Sequence, residues 1–423
     1  MQVLHIINQA LPDPVAGYTI RSHSLLATQK SLGLLPTAFI TPNTPVSTKN
    51  TERESDFVRS YQIDGVPYLG CNDQSGVVRK SLLNVALPLK KIGIRGLGRL
   101  AGKYQVRPEF MTQVAKWICE NVSFSVIHAH SPSHCFDFAN EIRAISGKPI
   151  LYEVRGFYYL SAEAEGIGTE ASRTERIEKE LKAMQSADCV STLGNAMKQH
   201  LIDLGLPDAK IHLFPNGVDI SESSSQKRNS IRKEYGLTLD DFVCGCFTNI
   251  RRLEGLETAI RAVNSLSESG HPIKFVIAGN GTQLEPLKKL VTSLGCENQI
   301  LFLGRRPMSE IADLYSILDT YLIPRINKPV CQIVAPVKIL GPMLHRVPLI
   351  VSDLPALTEH TGQDRGLRFT ADDHQSLAKS IADLMNDRHR AKTLAENAYQ
   401  WAITERCWSK IALDTKAVYQ SMC

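Results

Sequence analysis

Two basic residues stand where an apolar strand gives way to a loop and where the next helix begins. Tyr321, Leu322 and Ile323 read as the strand, Pro324-Arg325 ends it, and a helix starting near Pro336 carries Lys338 one turn in. Gly341, Pro342 and Arg346 follow, then a second apolar strand from Pro348 to Val351 that stops at Ser352-Asp353. A helix N-terminus offers unpaired N–H groups and partial positive charge. With Arg325 and Lys338 added, the unit is either a cradle for an anion such as a diphosphate or a plain strand–helix–strand with solvated bases. His128 and His130 close the stretch FSVIHAH, and two apart on a strand they point the same way. They are core histidines hydrogen-bonded to backbone or half of a metal site, for which no third ligand stands nearby in sequence. Glu153 and Arg155 share a strand face at the end of PILYEVRG, as ligands for hydroxyl groups or as a structural ion pair. Gly17 lies between the first strand and first helix, where a missing Cβ permits close backbone approach. Arg21, one turn into that helix, faces a cleft or solvent. Gly279, Asn280 and Gly281 form a turn through which backbone reaches a nucleotide base, or simply joins strand to helix.

The elements that position these residues alternate from end to end. VLHIIN, TAFIT, FSVIHAH, PILYEV, CVSTL and KIHLF read as strands, separated by helices near 18–32, 108–121, 136–145 and 172–185. The segment 42–66 reads as irregular and 157–170 as a long loop. The polar run SESSSQKRNS (221–230) reads as a linker, after which FVCGCF, KFVIAG, ILFLG and YLIP begin a second series; helices fill 373–420. Such alternation argues parallel sheets with right-handed crossovers. Two doubly wound halves leave a cleft between them, a preferred place for small-molecule sites.

At 423 residues the chain exceeds what one core usually fills. Its hydrophobic content of 43% and charged content of 22% are those of a soluble globular protein. A net charge of +5 is too small to imply nucleic acid. No apolar run spans a membrane, and the start of the chain has the pattern of a strand rather than of a signal peptide. The ten cysteines form no C-x-x-C pair, and Cys244 and Cys246 share a strand face that suits core packing. Reduced thiols and a cytoplasmic location are expected. Between Asp73 and Glu109 there are eight bases and no acids. Lys91, Arg95, Arg99 and Lys103 recur every four residues, a stripe that lies either on an anionic membrane surface, through residues 77–107, or in solvent.

Taken in order, LHIINQALPDPVAGYTIRSHSLL, SVIHAHSP, YEVRGFYY, LFPNGVDI, LEGLETAIRA, VIAGNG, FLGRRP and VAPVKILGPMLHRVPLIVSDLPALTE resemble the family 4 retaining glycosyltransferases. GYT-R-S, YEVRG and PR…PVK are most similar to the exopolysaccharide-associated subgroup. The resemblance implies an α/β GT-B fold of two Rossmann-like domains. Residues 1–220 would be the acceptor domain and 221–403 the nucleotide-sugar domain, with a terminal helix, 404–423, crossing back. It also implies transfer of a sugar from a UDP- or GDP-linked donor to a glycan or lipid-linked acceptor, without metal or other cofactor. Basic residues neutralise the leaving diphosphate in such enzymes, and no protein nucleophile is needed. Carried over, His130 approaches the donor sugar, Gly17, Arg251, Arg252, Gly279, Asn280, Arg325 and Lys338 hold the donor, and Arg21, Glu153 and Arg155 meet the acceptor.

Two departures stand out. Where the family sets an Arg and a Lys after the first strand of the second domain, this chain has Asn249 and Glu254, with Arg251 and Arg252 between them. Where the family sets paired glutamates, it has Ile333 and Gly341; Gln332 and Glu359 are near but out of register. A ribose hydroxyl left unpaired costs about 1–3 kcal/mol. A degenerate, non-catalytic partner of an active transferase is therefore the alternative reading. A nucleotide-sugar epimerase ranks last, since it relies on more cleft carboxylates and histidines than are present.

Overall fold

A computed structural model describes residues 1–46, 50–72, 107–167, 169–219 and 228–423. The basic stripe assigned to a membrane surface falls, Arg107 apart, outside the described residues, as does most of the linker.

Among the described residues nine strands form the first sheet: β1 (Gln2–Ile7), β2 (Leu35–Ile40), β3 (Glu52–Arg53), β4 (Val58–Ile63), β5 (Val66–Cys71), β6 (Val126–His130), β7 (Ile150–Val154), β8 (Cys189–Thr192) and β9 (Ile211–Leu213). Their spatial order is β3-β4-β5-β2-β1-β6-β7-β8-β9. Six form the second: β10 (Phe242–Phe247), β11 (Ile273–Ala278), β12 (Ile300–Gly304), β13 (Thr320–Ile323), β14 (Leu349–Ser352) and β15 (Leu367–Phe369), ordered β12-β11-β10-β13-β14-β15. Pairing is parallel throughout the second sheet and in the first from β5 to β9. Helices cover both faces, so the central strands are buried on both sides and read as unbroken apolar runs. Cys244 and Cys246 are buried in β10, as core packing requires. The architecture is GT-B: two Rossmann-like domains.

The structure corrects the element reading in three places. Segment 42–66 contains an antiparallel ribbon, β3 on β4 and β4 on β5, that extends the first sheet. Its polar residues face outward on an edge, which hid the strand pattern. Within 157–170 a helix, Tyr158–Ala164, forms because Tyr159, Leu160 and Ala164 find a core to bury in. The short edge strand β15 was not anticipated.

Order reverses at β1/β6 in the first sheet and at β10/β13 in the second, and crevices beyond the strand ends at such points hold ligands in open α/β sheets. The chain crosses between domains at two adjacent places. Val218 N–H donates to the Arg406 carbonyl at 2.7 Å, and Val218 bridges Cys407. Gly217 is required there, because a Cβ would stand 2.4 Å from the Trp408 ring. The last helix, Trp408–Met422, then lies on the first domain, with Trp408, Ile411 and Tyr419 packed among Val3, Leu25, Leu151 and Phe214. No helix of the described residues is long and apolar enough to cross a membrane.

Candidate functional site

Strand register builds the first-domain half. His5 on β1 pairs with His128 on β6, and His130 pairs with Glu153 on β7, so alternate residues of three strands meet on one face. Arg21 reaches in from the helix Gly17–Ser31, and Arg155 follows β7. Glu153 and the three histidine rings are wholly buried, and Arg21 is 3% exposed.

The polar groups form one continuous chain whose ends, His128 and Glu153, stand 3.5 Å apart. Arg155 donates to Nδ1 of His130, so that ring is a neutral Nε2–H tautomer, and its Nε2 lies 3.0 Å from Nδ1 of His5. Nε2–H of His5 then donates to Gln29 Oε1 at 2.9 Å, and Gln29 Nε2 donates to the Thr415 and Tyr419 hydroxyls, each at 3.0 Å. The Tyr419 hydroxyl donates to Nδ1 of His128 at 2.6 Å, which leaves Nε2–H of His128 aimed at Glu153 Oε2, 3.5 Å away. Arg155 Nε and Arg21 Nε both donate to Glu153 Oε1, the latter at 3.2 Å. Arg21 also donates to the carbonyls of Phe214 and Pro215, both at 2.7 Å, and Arg155 to Ser22 Oγ at 2.7 Å.

Burial dominates the titration of the rings: it holds His5, His128 and His130 below the ordinary histidine value, with Arg155 opposing their charge as well. Burial alone would raise the Glu153 carboxyl, but Arg21 and Arg155 overrule it and hold it well below the usual range. The cluster thus contains neutral imidazoles, one carboxylate and two guanidiniums.

The structure places His130 wholly buried, with both its nitrogens engaged by His5 and Arg155. Of the two readings of Glu153 with Arg155, the geometry is that of the ion pair; Arg21, expected at the cleft or in solvent, is instead buried against the same carboxylate. The third imidazole that the sequence did not supply is present in His5, and the three rings bring nitrogens within 4.8 Å of one another. In this structure His5 and His130 are hydrogen-bonded to each other, and two guanidiniums surround Glu153, the carboxylate beside them. Gln29 and Tyr419 were also missed, since nothing marks them until the last helix is docked.

The second-domain half gathers at the ends of β10 and β13. Lys338, in the turn Val337–Ile339, bonds Glu254 and donates to Thr248 Oγ1 at 2.7 Å. Burial would raise the Glu254 carboxyl, yet Lys338 and then Arg325 pull it down. Arg325 is 5% exposed; one nitrogen donates to the Val334 carbonyl at 2.7 Å, and its Nε has no hydrogen-bond partner among the described residues. Ser352 Oγ holds the Arg325 carbonyl at 2.7 Å. Gly255, at φ +63°, lets this loop pass, because a Cβ would lie 1.7 Å from the Pro324 oxygen. Gly279 is glycine for the same reason: at φ +139° its Cβ would meet the Thr248 carbonyl at 1.8 Å. Asn280 turns its side-chain oxygen to the Gly281 N–H at 2.8 Å. Arg251 and Arg252 do not join the Lys338 cluster directly; they line a neighbouring cavity of about 600 Å³ with Arg261, Lys328 and His374.

Across the cleft, Gly17 faces Val337, with 3.7 Å between a Cβ built on the glycine and the valine methyl. The N-terminus of the helix Gly17–Ser31 therefore abuts the turn that carries Lys338. At Gly341 a Cβ would come within 2.3 Å of the Tyr315 hydroxyl, so a tyrosine occupies the room a side chain there would need.

Two family models match this chain: "Glycosyltransferase Family 4" over residues 84–222 and "Glycosyl transferases group 1" over 227–401. The chain is 26% identical to the O-antigen biosynthesis glycosyltransferase WclY of Escherichia coli over 36% of its own length and 40% of that protein's. It thus spans about 40% of that relative. It is 24% identical to the D-inositol 3-phosphate glycosyltransferase of Corynebacterium kroppenstedtii over 76% of each. In fold it is similar to Anabaena Alr3699/HepE, solved in complex with UDP, with a TM-score of 0.71, 18% identity and full coverage of both chains.

Proposed function

We propose that this chain is a family 4 glycosyltransferase of GT-B fold and that it moves a sugar from a nucleotide-sugar to a cell-surface glycan or lipid-linked acceptor, with retention. One observation carries this reading: Lys338 and Arg325 converge, with Glu254 between them, where the strand order of the second domain reverses. The turn bearing Lys338 faces the first domain across the cleft.

The diphosphate of the donor binds at Lys338 and the free Nε of Arg325, where two cations and one carboxylate leave net positive charge. As the glycosidic bond breaks, negative charge grows on the β-phosphate oxygen, and prepositioned cations stabilise that state more than the ground state. The ammonium of Lys338 is already fixed by Thr248 and Glu254, so little reorganisation remains. With these cations in place no metal is required. Arg251 and Arg252 add positive field from the adjoining cavity, and the backbone at Gly279-Asn280 and at Gly17 forms the walls. His130, Glu153 and Arg21 act from behind, fixing Arg155 under the ring of Tyr18 at the acceptor side. UDP or GDP is the nucleotide, the site of action is cytoplasmic, and the basic segment 77–107 meets the membrane face.

Tyr315 against Gly341 favours a second reading, a non-catalytic partner that retains the fold, because no carboxylate receives the ribose. Purified chain with a panel of UDP- and GDP-sugars in EDTA separates the two. Donor hydrolysis or transfer that disappears in Lys338→Ala supports the transferase; donor binding with no turnover supports the partner.

A further inference from the structure

We propose that Glu359 is a positioning residue that pins the two domains in the closed arrangement. Glu359 lies near the end of the helix Pro355–Thr361, which follows β14 in the second domain. Its carboxylate crosses to the first domain and accepts the backbone N–H of Asn195 at 2.9 Å. Asn195 is the first residue of the helix Asn195–Asp203, and the residue before it, Gly194, has no side chain with which to cap that helix. A Cβ on Gly194 would stand 2.3 Å from Glu359 Oε1. The backbone of Gly194 is extended, so what an alanine there would displace is the Glu359 carboxylate itself. A carboxylate from the other domain therefore does the work of the missing N-cap, against the positive end of the helix.

Two further contacts tie this pin to the hinge and to the candidate site. Arg406, whose carbonyl receives the Val218 N–H at the crossing of the two chains, places its guanidinium near enough to Glu359 for their charges to interact. On the other side, the helix bearing Glu359 is rooted at Ser352, which holds the carbonyl of Arg325. The hinge, the pin and the anion-binding Arg325 are thus one mechanical unit. With the pin in place the Lys338 turn abuts the Gly17 helix; the apolar packing of the helix Pro329–Ile333 on the helices Tyr158–Ala164 and Asn195–Asp203 lies beside it, and the pin adds the directional polar contact. The catalytic part of this proposal rests on the transferase reading, whereas its structural part does not.

The test uses Glu359→Ala, Gly194→Ala, the double variant, and Glu359→Gln, whose amide oxygen still accepts from Asn195. Small-angle scattering of the full chain, with and without UDP, reads closure without reference to activity. The expected result is a larger radius of gyration for both alanine variants and no further opening in the double variant, because both remove the same contact. Glu359→Gln should restore the compact form. With a turned-over donor, kcat should fall on the order of tenfold to a hundredfold in Glu359→Ala through misplacement of the cleft halves. KM for the donor should change less. Scattering identical to wild type in every variant, or additive opening in the double variant, overturns the pin. Opened variants of a chain that turns over no donor would leave the pin standing and remove the transferase reading.

Discussion

At the scale of single residues, Lys338 and Glu153 are held by the same physics put to opposite ends. Lys338 is a partly solvated cation kept by one carboxylate and one hydroxyl, arranged so that a further anion improves its surroundings. Replacing it by alanine is expected to cost about 3 kcal/mol of transition-state stabilisation, on the order of a hundredfold in kcat/KM. The unfolding temperature should fall as well, because the buried Glu254 carboxylate loses its main cation, so activities are compared well below it. Glu153 is a buried anion whose removal strands two guanidiniums, so Glu153→Gln should destabilise the fold by about 3–5 kcal/mol in urea titration. The histidines predict a pH response. Burial holds the rings of His5, His128 and His130 below 6.5, the ordinary value, so the unfolded chain binds protons that the folded chain refuses. Stability from these groups is complete above that value and is lost as pH falls through it. The Glu153 carboxyl, held low, adds a second loss below its ordinary value of 4.5. Thermal unfolding followed from about pH 8 downward should therefore show a falling midpoint that begins between about pH 7 and 6; a flat or rising midpoint would contradict the neutral-ring assignment.

At the scale of elements, the last helix is part of the first domain's polar core and not merely a strap over it. The Tyr419 hydroxyl links Gln29 to His128, so Tyr419→Phe leaves buried groups on both without a partner. The expected cost is about 1–3 kcal/mol, read as a lower midpoint in denaturant with an unchanged slope. This chain of hydrogen bonds was not legible in the sequence. His128 and His130 announce themselves by alternation on one strand, whereas His5 is a single polar residue in an apolar strand and Gln29 and Tyr419 stand unmarked among other polar residues on helices. Only the docking of β1 beside β6, and of the terminal helix over both, gives them meaning. The parallel strands were legible because burial on both faces writes continuous apolar runs, as in FVCGCF and YLIP. The edge ribbon of β3 and β4 was not, because one face meets solvent. Lys338 and Arg325 were singled out by their places at a helix start and a strand end; that Glu254 sits between them depends on how two loops fold together.

At the scale of the whole molecule, the account is of two sheets whose reversal points face one cleft: a buried ion cluster behind one wall and the cations Lys338 and Arg325 at the other. Tyr315 beside Gly341 is the feature that most distinguishes this cleft from a site with a carboxylate at that turn. The measurement that tests the central claim most directly is calorimetric titration of the full chain with UDP and with GDP, in EDTA, for wild type and Lys338→Ala. The account predicts that one of the two binds wild type without metal and that the variant binds it on the order of tenfold or more weakly, as loss of a charge-assisted contact requires. Failure of both nucleotides to bind, or equal binding by the variant, would contradict the assignment of this cleft to a nucleotide-sugar.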